Sequence, residues 1–204
     1  MPRNGSSDGP FPDYGGGRSS GNDEFRLLRY SHIFASAVRE VLESKLLRET
    51  SPLPLTLSQF HLLKLMARTG QHQIHEVADY LGVSAPAATR NVDKLERLGL
   101  LVRSPSQGDR RATLLTVSNR GRQLIQKYEE LKAARFEPVV GALQPSEITQ
   151  MADLLERLAI SLLTQEDPPI TCCLRCDAYI EPDCPVAEAR GGCPYRVSNI
   201  VRIK

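Results

Sequence analysis

The feature that most constrains the fold is a run of three short helical segments separated by glycines near the middle of the chain. Apolar residues recur at helical spacing after Thr56, a capping residue, and Gly70 is typical of a helix end. A second helix is predicted over about residues 74–81 and ends at Gly82, and a third begins at Ser84. This spacing predicts a helix-turn-helix.

After Gly99 the periodicity changes from helical to extended. The segments LLVRS and TLLTVS flank the turn-rich PSQGDRRA, which predicts a β-hairpin with a long charged tip. A hairpin directly after the third helix is a wing. The predicted fold class is therefore mainly α: a winged helix-turn-helix with a small wing, a helical dimerisation region and a small cysteine-rich C-terminal module.

Longer helices are predicted on both sides of this unit. Apolar residues follow a helical face from Asp23 to about Arg48, and Ser118 caps a long helix that Pro138 is expected to interrupt. The last helix is predicted to begin at Ser146. It carries a heptad-like stripe suited to packing against a partner helix: Ile148, Met151, Leu155, Leu158 and Leu162.

Composition divides the chain into three parts. Residues 1–22 contain six Gly, three Pro and four Ser, which predicts a disordered leader. Residues 23–167 are assigned to the winged helix and dimerisation helices, and residues 168–204 to the cysteine-rich tail. Because the chain has no secretory signal and no 18-residue apolar run, it is predicted to be cytoplasmic with no membrane partner.

Charge becomes informative only when it is counted locally. The whole chain carries +2, whereas residues 84–122 hold eight basic and three acidic side chains, a local net charge of +5. A charge run alone usually marks a solvated helix face. Here it coincides with a helix-turn-helix, so it indicates a surface that neutralises DNA phosphates.

The first turn of the third helix is expected to enter the major groove, where Ala87 and Ala88 are small enough to contact thymine methyls. Thr89, Arg90 and Asn91 offer polar groups, and Arg90 is favoured, with Lys94 on phosphate. At the wing tip, Asp109 can orient an arginine toward a narrow minor groove or only stiffen the hairpin. The predicted DNA-binding residues are Ser84, Pro86, Ala87, Thr89, Arg90, Lys94, Asp109, Arg110 and Arg111.

The run from LTLSQFHLLKLMARTG through VADYLGVSAPAATRNVDKLERLGLLVRSPSQGDRRATLLTVSNRGRQLI resembles the MarR family of winged helix-turn-helix transcription regulators. The resemblance covers about residues 25–165 and includes LERLGLLVR, the DRR wing and LTVSNRGRQL. It implies a dimer joined by N- and C-terminal helices that binds a pseudo-palindromic double-stranded DNA operator, most often as a repressor. It also implies wing roles for Asp109 and Arg111, and a base-reading surface over residues 84–90.

The leader and the cysteine tail depart from this family's pattern. All five cysteines of the chain lie in one 22-residue window. Four of them form a possible thiolate tetrad that suits an iron–sulfur cluster, slightly favoured by two Cys-Pro pairs, or zinc. Disulfides are the lesser alternative in a reducing compartment. The predicted metal ligands are Cys173, Cys176, Cys184 and Cys193, with Cys172 as the spare.

A metal centre there would sense redox state, oxygen or iron, or would only stabilise a tail that is structural or binds a protein partner. A small-molecule effector is a further possible partner. His72 and His75 have a spacing that could ligate metal, but such pairs more often begin a helix. An enzyme is disfavoured because the sequence has no Gly-rich phosphate loop and no nucleophile–base set.

Overall fold

The computed structural model describes residues 20–106, 113–165 and 184–189. The described chain is mainly helical with one small antiparallel sheet, as predicted. Its elements in chain order are α1 (Ser20–Ala37), a π-helical segment (Val38–Lys45), α2 (Leu46–Thr50), α3 (Leu57–Thr69), α4 (Ile74–Leu81), α5 (Ala85–Arg97), β1 (Leu101–Pro105), β2 (Thr113–Val117), α6 (Asn119–Val140), α7 (Pro145–Gln165) and α8 (Pro185–Ala189).

The main core lies between α3, α4, α5 and the two strands. Each element contributes apolar side chains that are removed from water, and burial of each large one stabilises the fold by about 1.5–3 kcal/mol. A partly buried Val186 from α8 also packs against this core, so the described part of the C-terminal tail lies against the winged-helix unit. The most buried members are Leu62, Leu63, Leu65, Met66, Val77, Ala88, Val92, Leu95 and Leu100.

Helix α3 begins and ends where the sequence predicts. The Thr56 hydroxyl accepts from the Gln59 amide at 3.2 Å, and the Gln59 side chain accepts from the Thr56 amide at 3.2 Å. This reciprocal capping box satisfies two amides that a helix start would leave without partners. Gly70 ends the helix.

The turn between α4 and α5 depends on Gly82, whose φ of 63° lies in the left-handed region. Pro86 sits in the first turn of α5, where no intrahelical amide bond is lost. Ser84 occupies the predicted N-cap position. Its side chain makes no capping hydrogen bond, however, so the predicted cap is wrong in that respect.

The wing is an antiparallel pair in which Leu101 lies opposite Val117 and Pro105 opposite Thr113. Residue His72 adds a single bridge to β2: its amide donates to the Leu115 carbonyl at 3.0 Å, and its carbonyl accepts from the Leu115 amide at 2.7 Å. The base of the wing is thereby tied to the segment that joins α3 and α4.

The buried His72 side chain is held in one tautomer. The Thr69 hydroxyl donates to the Leu65 carbonyl at 2.7 Å, so its oxygen accepts from Nε2–H of His72 at 2.6 Å. Nδ1 is then the acceptor that faces the Tyr80 hydroxyl at 3.4 Å. Burial lowers the pKa of His72 and raises the pKa of Tyr80 to about 12, so both side chains are neutral at pH 7.

Three predictions about the flanking helices need correction. Helix α1 already begins at Ser20, within the segment assigned to the leader, and the chain stays helical to Thr50 by widening into a π-helix. Helix α6 continues past Pro138, and the interruption predicted near this proline falls two residues later, where the helix ends at Val140 before Gly141. Helix α7 begins at Pro145, whose fixed φ suits a first helical position, and not at Ser146.

A second apolar cluster joins α2, α3 and α6. The rings of Phe60 and Tyr128 lie 4.5 Å apart, and the Tyr128 hydroxyl donates to the Leu42 carbonyl at 2.8 Å. The ammonium of Lys64 pairs with Glu129 beside this cluster. These contacts fix the N-terminal helical arm to the winged-helix unit.

Helices α1 and α7 line an apolar groove that the rest of the described chain does not cover. Every residue of the predicted stripe on α7 is more than a third exposed, and Leu154, at 48% exposed, extends it. Six of the lining residues are Leu27, Tyr30, Phe34, Met151, Leu154 and Leu158.

Candidate nucleic-acid interface

Helix α5 has one face in the core and one face in solvent. Ala88, Val92 and Leu95 are fully buried, whereas Thr89 and Arg90 are exposed. Leu95 thus packs in the core with its α5 neighbours. The predicted contact of Ala88 with thymine methyls is wrong, since its methyl lies inside the core.

Asn91 has a structural role in place of the suggested contact with DNA. Its side-chain oxygen accepts from Nε2 of Gln59 at 2.8 Å, and its Nδ2 donates to the Ala87 carbonyl at 3.0 Å. Gln59 therefore serves two purposes, since it also completes the cap of α3. Sequence reasoning missed it, although a glutamine three residues after a capping threonine is the signal of a capping box.

The other predicted residues of α5 lie at or near the exposed face. Ser84 and Pro86 are exposed, and Ala87 and Lys94 are partly buried. The Thr89 hydroxyl donates to the Ala85 carbonyl at 2.9 Å, which leaves its oxygen able to accept from a further donor.

The basic patch is smaller than the local charge count suggests. Arg103 on β1 donates to Glu96 at 2.6 Å and to Asp93 at 2.5 Å. Arg122 donates to the Ala67 carbonyl at 3.4 Å. Only Arg103 is thereby paired with carboxylates, whereas Arg90 is exposed on α5.

Comparisons with known proteins agree with this geometry. The MarR family model matches residues 53–112, the helix-turn-helix and most of the wing. The uncharacterised HTH-type transcriptional regulator YkoM of Bacillus subtilis is 27% identical over 135 residues, which are 66% of this chain and 87% of that protein. The HTH-type transcriptional regulator MhqR of the same organism is 26% identical over 107 residues, 52% of this chain and 74% of that protein.

These matches show similarity to MarR-family winged-helix transcription regulators over the helix-turn-helix and the wing. The fold agrees, since the crystal structure of Streptococcus pneumoniae FabT in complex with DNA matches with a TM-score of 0.60. That match covers 71% of this chain and all of FabT at 22% identity. MarR-family regulators are non-enzymatic transcription factors, so the prediction that the chain is not an enzyme is confirmed.

The wing tip of this MarR-like unit lies outside the described residues, and with it the predicted contacts of Asp109, Arg110 and Arg111. The described strands end on either side of the tip, at Pro105 and Thr113. The roles of these three side chains therefore stay predictions.

The cysteine tail that distinguishes this chain from the ordinary MarR pattern is described only at residues 184–189. Cys184 there is a free, partly buried thiol whose Sγ accepts from the Ala187 amide at 3.4 Å. Cys172, Cys173, Cys176 and Cys193 lie outside the described residues. Within the described ranges no group of three or more metal-ligating side chains occurs.

His72 and His75 do not form a ligand pair. His72 is buried with both ring nitrogens facing hydroxyl groups, while His75 is exposed at the start of α4. A separate finding concerns the membrane: among the described helices, none has the length and apolar character needed to cross a bilayer.

Proposed function

We propose that this chain is a sequence-specific DNA-binding repressor that acts as a homodimer. The observation that carries the proposal is helix α5, whose buried face is fixed in the core while its first turns present Thr89 and Arg90 to solvent. A rigid helix with a small, polar, basic leading edge fits the major groove. The structure of FabT in complex with DNA supports the same partner for this chain.

In the proposed complex the leading turn of α5 lies in the major groove. Arg90 donates to a base edge or a flanking phosphate, and Thr89 offers its hydroxyl. Ser84, with a hydroxyl that caps no amide, and Lys94 are placed to bind phosphate on either side. Pro86 and Ala87 allow a close approach because their side chains are small.

The wing is proposed to contact the adjacent minor groove through Arg110 and Arg111, with Asp109 orienting a guanidinium. Replacement Arg111→Ala is expected to weaken operator binding and to lower the slope of log affinity against log salt by about 1. An unchanged binding isotherm would show that the wing makes no contact.

Selection of bound sequences from a random double-stranded DNA pool tests the function itself. The proposal predicts enrichment of an inverted repeat whose half-sites are about one or two helical turns apart. A gel shift with the protein's own promoter region then tests repression of its gene. Binding of all DNA with equal affinity would contradict the proposal.

The homodimer is proposed to form through the groove lined by α1 and α7. Exposed apolar residues on both helices would be removed from water by a second copy of the same surface. Sedimentation should give twice the chain mass for the native protein and one chain mass for Leu154→Lys. The matched control Val102→Lys, equally 48% exposed but on β1, should remain a dimer.

The C-terminal tail is proposed to hold a metal centre on Cys173, Cys176, Cys184 and Cys193. Four thiolates suit an iron–sulfur cluster, the favoured candidate, or zinc. The contact of Val186 with the winged-helix core supports a link between this tail and DNA binding. Loss of metal would unfold the tail and thereby change operator affinity.

Metal analysis and visible absorption of protein purified without oxygen distinguish the candidates. A brown protein with iron and sulfide indicates a cluster, and a colourless one with zinc indicates a structural site. Replacement Cys176→Ser should abolish binding of the metal, whereas Cys172→Ser, the spare cysteine, should retain it. Metal-free native protein would refute the centre, and equal operator affinity after chelation would make the tail a structural or protein-binding appendage. A small-molecule effector stays a prediction.

A further inference from the structure

One arginine joins the two DNA-facing parts of the winged-helix unit. Arg103 lies on β1, opposite Leu115 of β2, and its side chain reaches back to α5. Its Nη1 donates to Oε2 of Glu96 at 2.6 Å, and its Nη2 donates to Oδ1 of Asp93 at 2.5 Å. The planar guanidinium thus bridges two carboxylates one helical turn apart.

This clamp spans the point where α5 turns into the wing. The backbone turns there at Gly99, whose φ of 71° is left-handed. The Leu100 amide then donates a hydrogen bond to the Leu95 carbonyl at 2.9 Å. The Arg103 clamp is a side-chain tie beyond that turn, on the strand itself. It therefore limits how far β1 can swing away from α5.

The clamp also pairs Arg103 with the two acidic side chains of α5. Asp93 and Glu96 are the two acidic residues of α5, and both accept hydrogen bonds from Arg103. Arg103 therefore offsets part of the negative charge that α5 carries beside Arg90 and Lys94. Because the three side chains are 33–44% exposed, such pairs add little to stability, and their effect is on geometry.

We propose that Arg103 is a positioning residue for DNA recognition: it holds the wing against the recognition helix through Asp93 and Glu96, and does not itself bind phosphate. The inference rests on the proposed function. Two linked contacts on one duplex bind more tightly than either alone only when their spacing matches the grooves. Release of the wing is therefore expected to lower specific affinity by about tenfold.

The test compares four full-length proteins: the native chain, Arg103→Ala, the double variant Asp93→Ala with Glu96→Ala, and the triple variant. Fluorescence anisotropy measures affinity for the selected operator and for scrambled DNA at several salt concentrations. Hydroxyl-radical footprinting reports the minor-groove protection that the wing provides. Thermal unfolding confirms that each variant is folded.

A positioning role predicts that Arg103→Ala and the double variant both lose about tenfold in the ratio of specific to scrambled affinity. The triple variant should lose no more than either, because all three remove one clamp. The salt slope should change by the same amount in these variants, because each releases the same wing contacts, and minor-groove protection should weaken while the major-groove contact remains. A charge-reversed clamp of Arg103→Glu with Asp93→Arg should recover part of the loss.

The inference would be overturned if Arg103→Ala and the double variant changed the affinity for DNA in opposite directions. If Arg103 binds phosphate directly, Arg103→Ala lowers the salt slope and weakens scrambled and specific DNA alike, while the double variant binds more tightly. If all variants kept native specificity, the Arg103 clamp would be merely structural, and the inference would also be overturned. If the native chain selects no operator, the proposed function fails first, which the native protein alone reveals.

Discussion

Gly121 is the position where an added methyl group should disturb the fold most directly. It lies in the first turn of α6, and a Cβ there would sit 2.6 Å from the Leu100 carbonyl oxygen and 2.7 Å from a methyl of Val117. Ordinary contact begins at 3.4 Å, so backbone must move by roughly 0.8 Å. The same carbonyl accepts from the Ser118 amide at 3.0 Å, which joins the start of the wing to the N-terminus of α6.

Overpacking of this kind costs about 1–3 kcal/mol, and alanine recovers less than about 1 kcal/mol of helix propensity in a first turn. We expect Gly121→Ala to lower the free energy of unfolding by about 2 kcal/mol, which corresponds to roughly 4–8 °C in Tm for a chain of this length. Thermal unfolding at one fixed protein concentration measures it.

Gly141→Ala is the matched control, because Gly141 lies at the opposite end of α6 with a φ of −63°. Its Cβ would meet the Glu137 carbonyl at 3.1 Å, a contact that a small shift relieves. We expect less than about 1 kcal/mol there. Equal Tm values for the two variants, or an increase for Gly121→Ala, would refute the reasoning about the junction.

Three further changes test the local structure. Thr56→Ala removes the hydroxyl that caps α3 and should cost about 1 kcal/mol by urea denaturation, while Thr56→Ser should keep most of it. Tyr128→Phe leaves the Leu42 carbonyl without its 2.8 Å donor and should cost about 1–2 kcal/mol; a neutral effect would contradict the assigned bond. Burial lowers the folded-state pKa of His72 below its ordinary 6.5. The stability that this shift contributes is therefore fully present above pH 6.5 and is lost as the pH falls toward the folded-state pKa. His72→Gln should therefore reduce the decline in stability below pH 6.5, and an unchanged decline would exclude this side chain as its source.

Local signals determined much of the fold. Helices α3 and α4 begin and end within a residue of the predicted positions, because capping residues and glycines act on the nearest turn of backbone. Pro138 was expected to interrupt α6, but the helix continues for two further residues and ends before Gly141.

The DNA-facing surface was harder to predict because it depends on contacts between elements distant in sequence. Ala88 and Asn91 flank the predicted contact residues in sequence, yet packing and a bond from Gln59 remove them from the surface. Arg103 looked like part of the basic patch, since its carboxylate partners are seven and ten residues away across a turn. Charge counting cannot separate such a clamp from a phosphate contact.

Arg90 offers the sharpest test of whether α5 reads DNA. Affinity should be measured for the selected operator and for operators with single base-pair changes, using the native chain, Arg90→Ala and the control Lys127→Ala on the exposed face of α6. The account predicts that Arg90→Ala loses about 1–3 kcal/mol of binding and no longer distinguishes bases at one position of each half-site, while Lys127→Ala binds as the native chain does. Native affinity and specificity in Arg90→Ala would contradict it.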